Sequence, residues 1–145
     1  PLAVMEPSCD EFFHISEVQR IGYGNEDISG DLSSYWMESS LKISPIEQVK
    51  LLQSFRKNDF QFAPENVQAV KDGIRLSSSA AGTLYGKTGT GNVNGQNVNG
   101  WFVGFVETSE NTCYFAVNIQ SADDATGSRA AEIALSVLGE LGMWG

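Results

Sequence analysis

Apolar residues follow a helical period in several stretches of this chain and a strand period in others. Ile46, Val49, Leu52 and Phe55 recur at helical spacing. Ser44-Pro45-Ile46-Glu47 opens that run with serine at the N-cap, proline at the first helical position and glutamate at the third, the residues of a capping box. A second short helix is predicted from Pro64, with Val67, Val70 and Ile74 on its buried side and Gly73 loosening its end. Upstream, Glu11 to Ile21 reads as a helix with Phe12, Ile15 and Val18 or Gln19 near one face. Pro1-Leu2-Ala3-Val4 reads as an appended scar or the cut end of something longer. From Thr83 the period changes: Thr83–Thr90, Val98–Glu107 and Thr112–Gln120 are rich in β-branched and aromatic residues. Asn94-Gly95 signals a tight turn between the first two, although the apolar flanks predict a loop longer than two residues. Ser109-Glu110-Asn111 turns the second strand into the third. After a loop over Asp123–Gly127, a last helix is predicted to set Ala130, Ile133, Ala134, Val137, Leu138 and Leu141 against the sheet, with Gly142 ending it. Helices, a three-stranded antiparallel meander and a closing helix make an α+β arrangement.

Length and charge narrow the function classes. The chain has 145 residues, the size of one domain, with nine Lys+Arg against eighteen Asp+Glu and a net charge of -9. That balance argues against a nucleic-acid groove, which needs a basic face. No apolar run reaches membrane-spanning length, and no basic segment followed by an apolar one opens the chain. Two cysteines, Cys9 and Cys113, are too few for a structural zinc site or a disulfide framework; one bridge or two unpaired thiols remain open. His14 has no partner at metal or triad spacing and reads as structural. No metal and no cofactor is expected.

The most conspicuous segment is Tyr85-Gly86-Lys87-Thr88-Gly89-Thr90-Gly91. A phosphate-binding loop would need glycine where Ala81 stands, and would lead from a strand into a helix rather than toward a hairpin. The alternative is a K-T-G edge strand, whose lysine supplies charge beside an active-site serine while its threonine hydroxyl binds a substrate carboxylate. The small glycine lets an acyl group lie against such a strand, and the N–H beyond it can stabilise an oxyanion. Other segments accompany it in order. Tyr23-Gly24-Asn25 and Trp36 stand upstream, followed by Glu38-Ser39-Ser40-Leu41-Lys42-Ile43-Ser44-Pro45-Ile46-Glu47-Gln48. Asn99-Gly100-Trp101-Phe102-Val103-Gly104-Phe105-Val106-Glu107 and Ala125-Thr126-Gly127-Ser128-Arg129 come after it.

This series resembles class D β-lactamases and the penicillin-sensor domains of BlaR/MecR-type signal transducers. Residues 20–141 carry the resemblance, residues 1–19 are divergent or truncated, and Glu38-Ser39-Ser40 is nearer the sensors than the hydrolases. The resemblance implies a β-lactamase/transpeptidase-like α+β fold, an antiparallel sheet packed against helices, present here as one incomplete domain. It implies that Tyr23 and Asn25 line the cleft and that Trp36 packs beside an acid–base lysine. Lys87, Thr88 and Gly89 then form the K-T-G edge, and the Thr90 N–H is one of two oxyanion donors. Arg129 matches the cation that holds the β-lactam carboxylate, with a solvated first-turn charge as its other reading. Trp101 reads as core packing.

The family acylates a serine in S-x-x-K, placed well upstream of Y-G-N. No such serine is recognisable at that position here. Ser39-Ser40-Leu41-Lys42 and Ser54-Phe55-Arg56-Lys57 copy the letters but fall between Y-G-N and K-T-G, and read as decoys. The middle S-x-V motif is matched poorly by Ser16-Glu17-Val18 or by a remnant at Ser8-Cys9-Asp10 before Phe13. The meander is therefore expected to have an unpaired edge and part of an apolar face without cover, which favours dimer formation or pairing with a missing N-terminal portion. The implied function is the β-lactam-binding part of a sensor domain, without turnover of its own. A class D hydrolase fragment and a non-catalytic interaction module are the alternatives. The family further implies an extracytoplasmic site of action, a segment that does not itself span a membrane, and a parent that is membrane-anchored.

Overall fold

A computed structural model of the chain describes residues 9–31, 33–121 and 124–145, with the backbone alone for residues 9–13. The readings placed on Pro1–Val4, on Ser8, on the Cys9, Asp10, Phe12 and Phe13 side chains and on Asp123 lie outside what is described. The chain divides into two units, Pro1–Ile43 and Ser44–Gly145.

The first unit holds helix α1, Cys9–Ile21, beginning two residues before the predicted start, followed by irregular backbone. His14, which has no partner at metal or triad spacing in the sequence, meets a tyrosine through the fold: its Nδ1 lies 3.1 Å from the hydroxyl of Tyr35, which is buried. Separation in sequence concealed the pair, since the two residues come together through the fold of the unit rather than through local spacing.

The second unit contains α2 (Pro45–Lys57), α3 (Pro64–Gly73), β1 (Arg75–Ser79), β2 (Gly82–Val93), β3 (Gln96–Glu107), β4 (Thr112–Gln120) and α4 (Gly127–Glu140). The capping box of α2 forms as expected. Ser44 Oγ accepts the Glu47 N–H at 3.3 Å, while Glu47 Oε2 accepts the Ser44 N–H at 2.8 Å. Gln48, Val49 and residues 51–55 are half-buried, whereas Ile46 in the first turn is 70% exposed. On α3, Val67 is half-buried but Val70 is exposed.

The sheet is a four-stranded antiparallel meander in the order β1-β2-β3-β4, one strand more than predicted. The additional strand, β1, is exposed at all five positions and apolar only at Leu76, so it shows no strand alternation in its sequence. It pairs with only the first part of β2, from Ser79 opposite Gly82 to Arg75 opposite Tyr85. The β2–β3 turn is tighter than predicted. Val93 faces Gln96 directly, and Asn94 and Gly95 close the hairpin with φ of 53° and 84°, as a two-residue turn of this hand requires. The register shift after Gly91 leaves Val98 as an extra residue on β3 and lets polar residues continue the ladder to the turn.

Helices cover both faces of the sheet. On one, α4 buries Gly127, Ala130, Ala134 and Leu138 against Leu84, Phe102 and Val106. This stripe is narrower than predicted: Ile133, Val137 and Leu141 stay exposed, while three small residues and Leu138 face the sheet. On the other face Tyr85 stacks on Phe105 at 4.7 Å and α2 packs against β4 and β3. Glu107, at the end of β3, receives Arg56 of α2 at 2.6 Å and Lys71 of α3 at 2.7 Å. Among the described residues, no helix is long and apolar enough to cross a membrane.

Candidate functional site

Partial pairing of β2 creates the chemically notable feature of the second unit. The Gly86 N–H donates to Ile74 O at 2.8 Å, and beyond it no strand lies on that side of β2 among the described residues. Lys87-Thr88-Gly89-Thr90 is therefore an open edge. Backbone groups alternate along an antiparallel strand, so Thr88 and Thr90 direct their N–H and C=O outward, as Gly86 does, while Lys87 and Gly89 bond to β3. Lys87 Nζ donates to Thr88 O at 2.6 Å, which sets the ammonium on this edge.

Side chains on β2 alternate as well. Lys87 and Gly89 share the face of Tyr85, and Thr88 and Thr90 share the face covered by α4. Gly89 stands opposite Trp101. A Cβ on Gly89 would come within 3.7 Å of the Trp101 Cβ, an ordinary contact, and would meet nothing closer. Trp101 is half-buried rather than a core residue.

The start of α4 abuts this edge. Thr90 Oγ1 accepts the Gly127 N–H at 2.9 Å, and Thr126 Oγ1 accepts the Arg129 N–H at 3.2 Å. Two helix N–H groups that would otherwise lack partners are thereby satisfied. Arg129 projects from the first turn, and its Nη1 lies 2.9 Å from Glu132 Oε2, both side chains being largely exposed. The Glu132 carboxylate offsets the unfavourable position of a cation at a helix N-terminus. Lys87, Thr88, Gly89 and Thr90 are thus assembled on one edge, with the helix that carries Arg129 docked against it. Reading the sequence missed the roles of the Thr90 hydroxyl and of Gly127; the Thr126-Gly127 pair at a helix start was the available signal.

In the first unit, Tyr23-Gly24-Asn25 is stitched to residues 40–42. Gly24 has φ of 55°, and a Cβ there would collide with Lys42 O. The Asn25 N–H donates to Lys42 O, its Oδ1 accepts the Lys42 N–H, and its Nδ2 donates to Ser40 O, each at 2.9 Å. Asn25 spends its amide on backbone within its own unit. Trp36 meets Tyr35 edge-on at 4.9 Å and is 53% exposed.

Ser39 lacks the helical geometry of a nucleophile activated by a lysine three residues on. Ser39 to Lys42 is irregular backbone, so no helical turn brings the two side chains together, and Ser40 Oγ binds Asp27 O and the Gly30 N–H. Ser54 and Lys57 lie at the end of α2, Ser54 half-buried and Lys57 exposed. Cys113 is a free, half-buried thiol. Among the described residues, no group of three or more His, Cys, Asp or Glu side chains is arranged to hold a metal ion.

A family profile, the penicillin binding protein transpeptidase domain, matches residues 15–139, and the chain belongs to that family. It is 50% identical over 127 residues to regulatory protein BlaR1 of Bacillus licheniformis, covering 88% of this chain and 21% of that protein. The C-terminal domain of the Bacillus licheniformis BlaR penicillin-receptor has the same fold, with a TM-score of 0.87 and 48% identity, covering 93% of this chain and 55% of that domain. The class D β-lactamase from Bacillus subtilis is similar at 34% identity and a TM-score of 0.82, covering 92% of this chain and 54% of the enzyme. The chain therefore spans about a fifth of BlaR1 and about half of the solved domains. The expected α+β, β-lactamase/transpeptidase-like fold is borne out, as is the resemblance to sensors and class D enzymes.

Proposed function

We propose that this chain is the β-lactam-binding portion of a sensor-type penicillin-receptor domain, and that the serine acylated in such a domain is not among its 145 residues. The observation that carries the reading is the open K-T-G edge. It offers an ammonium at Lys87, a threonine at Thr88, an unfilled space at Gly89 and an outward N–H at Thr90, beside the helix that carries Arg129. These groups suit a bicyclic ligand with a carbonyl and a carboxylate. The Thr90 N–H faces the carbonyl oxygen, Thr88 and Arg129 hold the carboxylate, and Lys87 adds positive charge. Tyr23, Asn25 and Trp36 enter as cleft residues from the family resemblance. A hydrolase is the second reading, favoured by the likeness to the Bacillus subtilis enzyme; the higher identity to BlaR1 favours the sensor.

Residues 1–145 act in this reading as one incomplete domain, working outside the cytoplasm where β-lactams are met. The remainder of such a domain pairs with the outer edge of β4. Amide NMR titration with benzylpenicillin tests the function. Shifts confined to Lys87–Thr90 and the first turn of α4 are expected, with weak saturable binding. Unchanged spectra at millimolar ligand would overturn the reading.

A further inference from the structure

Thr90 stands at a junction that a K-T-G reading does not require. Its backbone N–H points out of the edge, whereas its side chain lies on the α4 face and accepts the Gly127 N–H at 2.9 Å. Gly127 is the first residue of α4 and is buried. A Cβ on it would lie 2.7 Å from Gly89 O, 2.9 Å from Gly89 N and 2.9 Å from the Thr88 Cβ, so the helix begins directly against the K-T-G backbone. The preceding residue is held from the other side, where a Cβ on Gly100 would collide with Thr126 O. Arg129 follows two residues later, its N–H fixed by Thr126 Oγ1.

We infer that Thr90 is a positioning residue whose hydroxyl locks the start of α4 to the K-T-G edge, so that the oxyanion N–H and the Arg129 cation are held at a fixed separation. This rests on the β-lactam reading given above and adds to it a residue that sets ligand fit without its side chain touching ligand. The physical cause is local. Gly127 is buried, and without the threonine oxygen its N–H is left unpaired. Relief comes from moving the helix start toward water, and Arg129 moves with it. A ligand whose carbonyl and carboxylate are rigidly spaced then loses simultaneous contact with both groups.

Thr90→Val keeps the shape and the backbone N–H but removes the acceptor; Thr90→Ser retains it. Titrated with benzylpenicillin, Thr90→Val is expected to bind about fivefold more weakly, the effect of one net hydrogen bond, and Thr90→Ser within about twofold of the unaltered chain. Benzylpenicillin methyl ester, which lacks the carboxylate, is expected to bind Thr90→Val and the unaltered chain alike. Hydrogen exchange of the Gly127 amide is expected to rise in Thr90→Val alone. Equal loss for acid and ester, or equal loss in Thr90→Ser and Thr90→Val, would overturn the inference by reducing Thr90 to a general structural role. Arg129→Ala separates it from the reading beneath. If Arg129→Ala weakens binding and Thr90→Val does not, the coupling alone falls. If Arg129→Ala binds like the unaltered chain, the carboxylate reading falls and the inference with it.

Discussion

Position 89 is glycine although the fold has room for a side chain there. Gly86, Gly104 and Gly127 are crowded: a Cβ on Gly104 would strike Tyr85 O, and one on Gly86 would lie 2.7 Å from the Phe102 ring. At Gly89 the nearest atom is 3.7 Å away. Gly89→Ala is accordingly expected to change stability by less than about 1 kcal/mol. In the ligand-bound state the added methyl occupies the space of the acyl group. An overpacking cost of about 1–3 kcal/mol corresponds to roughly 5- to 150-fold weaker benzylpenicillin binding. Thermal unfolding and titration of the same preparation check both halves, and a variant that unfolds early or binds normally would refute the assignment. The residues of this edge were legible in the sequence because Lys87-Thr88-Gly89 lies within an obvious strand with Y-G-N and Trp36 upstream. The Thr90 hydroxyl was not legible, since its partner Gly127 is 37 residues away and is found only through the packing of α4.

At the scale of elements, Glu107 joins α2, α3 and β3. Hydrogen bonding from Lys71 is the largest influence on its carboxyl and Arg56 adds to it, and together they outweigh partial burial, holding the group below its ordinary value of 4.5. A depressed carboxylate contributes stability that is present above that ordinary value and is lost as pH falls through the folded one. Glu107→Gln is therefore expected to lower stability at neutral pH by about 1–2 kcal/mol, discounted for solvent access. The difference should shrink as pH falls below that ordinary value and through the lower folded one, where the unaltered chain loses its charge. Denaturant titrations at several pH values check this, and a pH-independent difference would show that packing, not charge, is the cause. Elements with local signals were readable from sequence: the Ser44–Glu47 box, the β-branched and aromatic content of β4 and the α4 stripe in outline. Elements whose signal is tertiary were not. β1 forms from an exposed Arg-Leu-Ser-Ser-Ser run because β2 offers it a ladder, and the buried positions of α4 are Gly127, Ala130, Ala134 and Leu138 while its other larger apolar residues stay exposed.

For the molecule as a whole, the sheet ends among the described residues at β4, whose nine residues Thr112–Gln120 include neither charge nor proline. Charge and proline are two of the features that discourage strand pairing, and this edge strand has neither. In isolation it is expected to pair with a second copy, giving a mass by light scattering that rises with concentration from monomer toward dimer; a monomer throughout would show that this edge is not an association surface. One unpaired edge was expected for the meander; among the described residues β4 has no strand on its outer side, while β1 pairs with part of β2 on the other.

The central claim is that the chain holds the recognition edge of a penicillin-binding domain without its acyl-accepting serine. Intact-protein mass after incubation with excess benzylpenicillin tests it most directly. An unchanged mass in folded protein is the expected result. A stable gain of one drug mass would contradict it, and peptide mapping would then locate the nucleophile, with Ser8 and Ser16 the first residues to inspect.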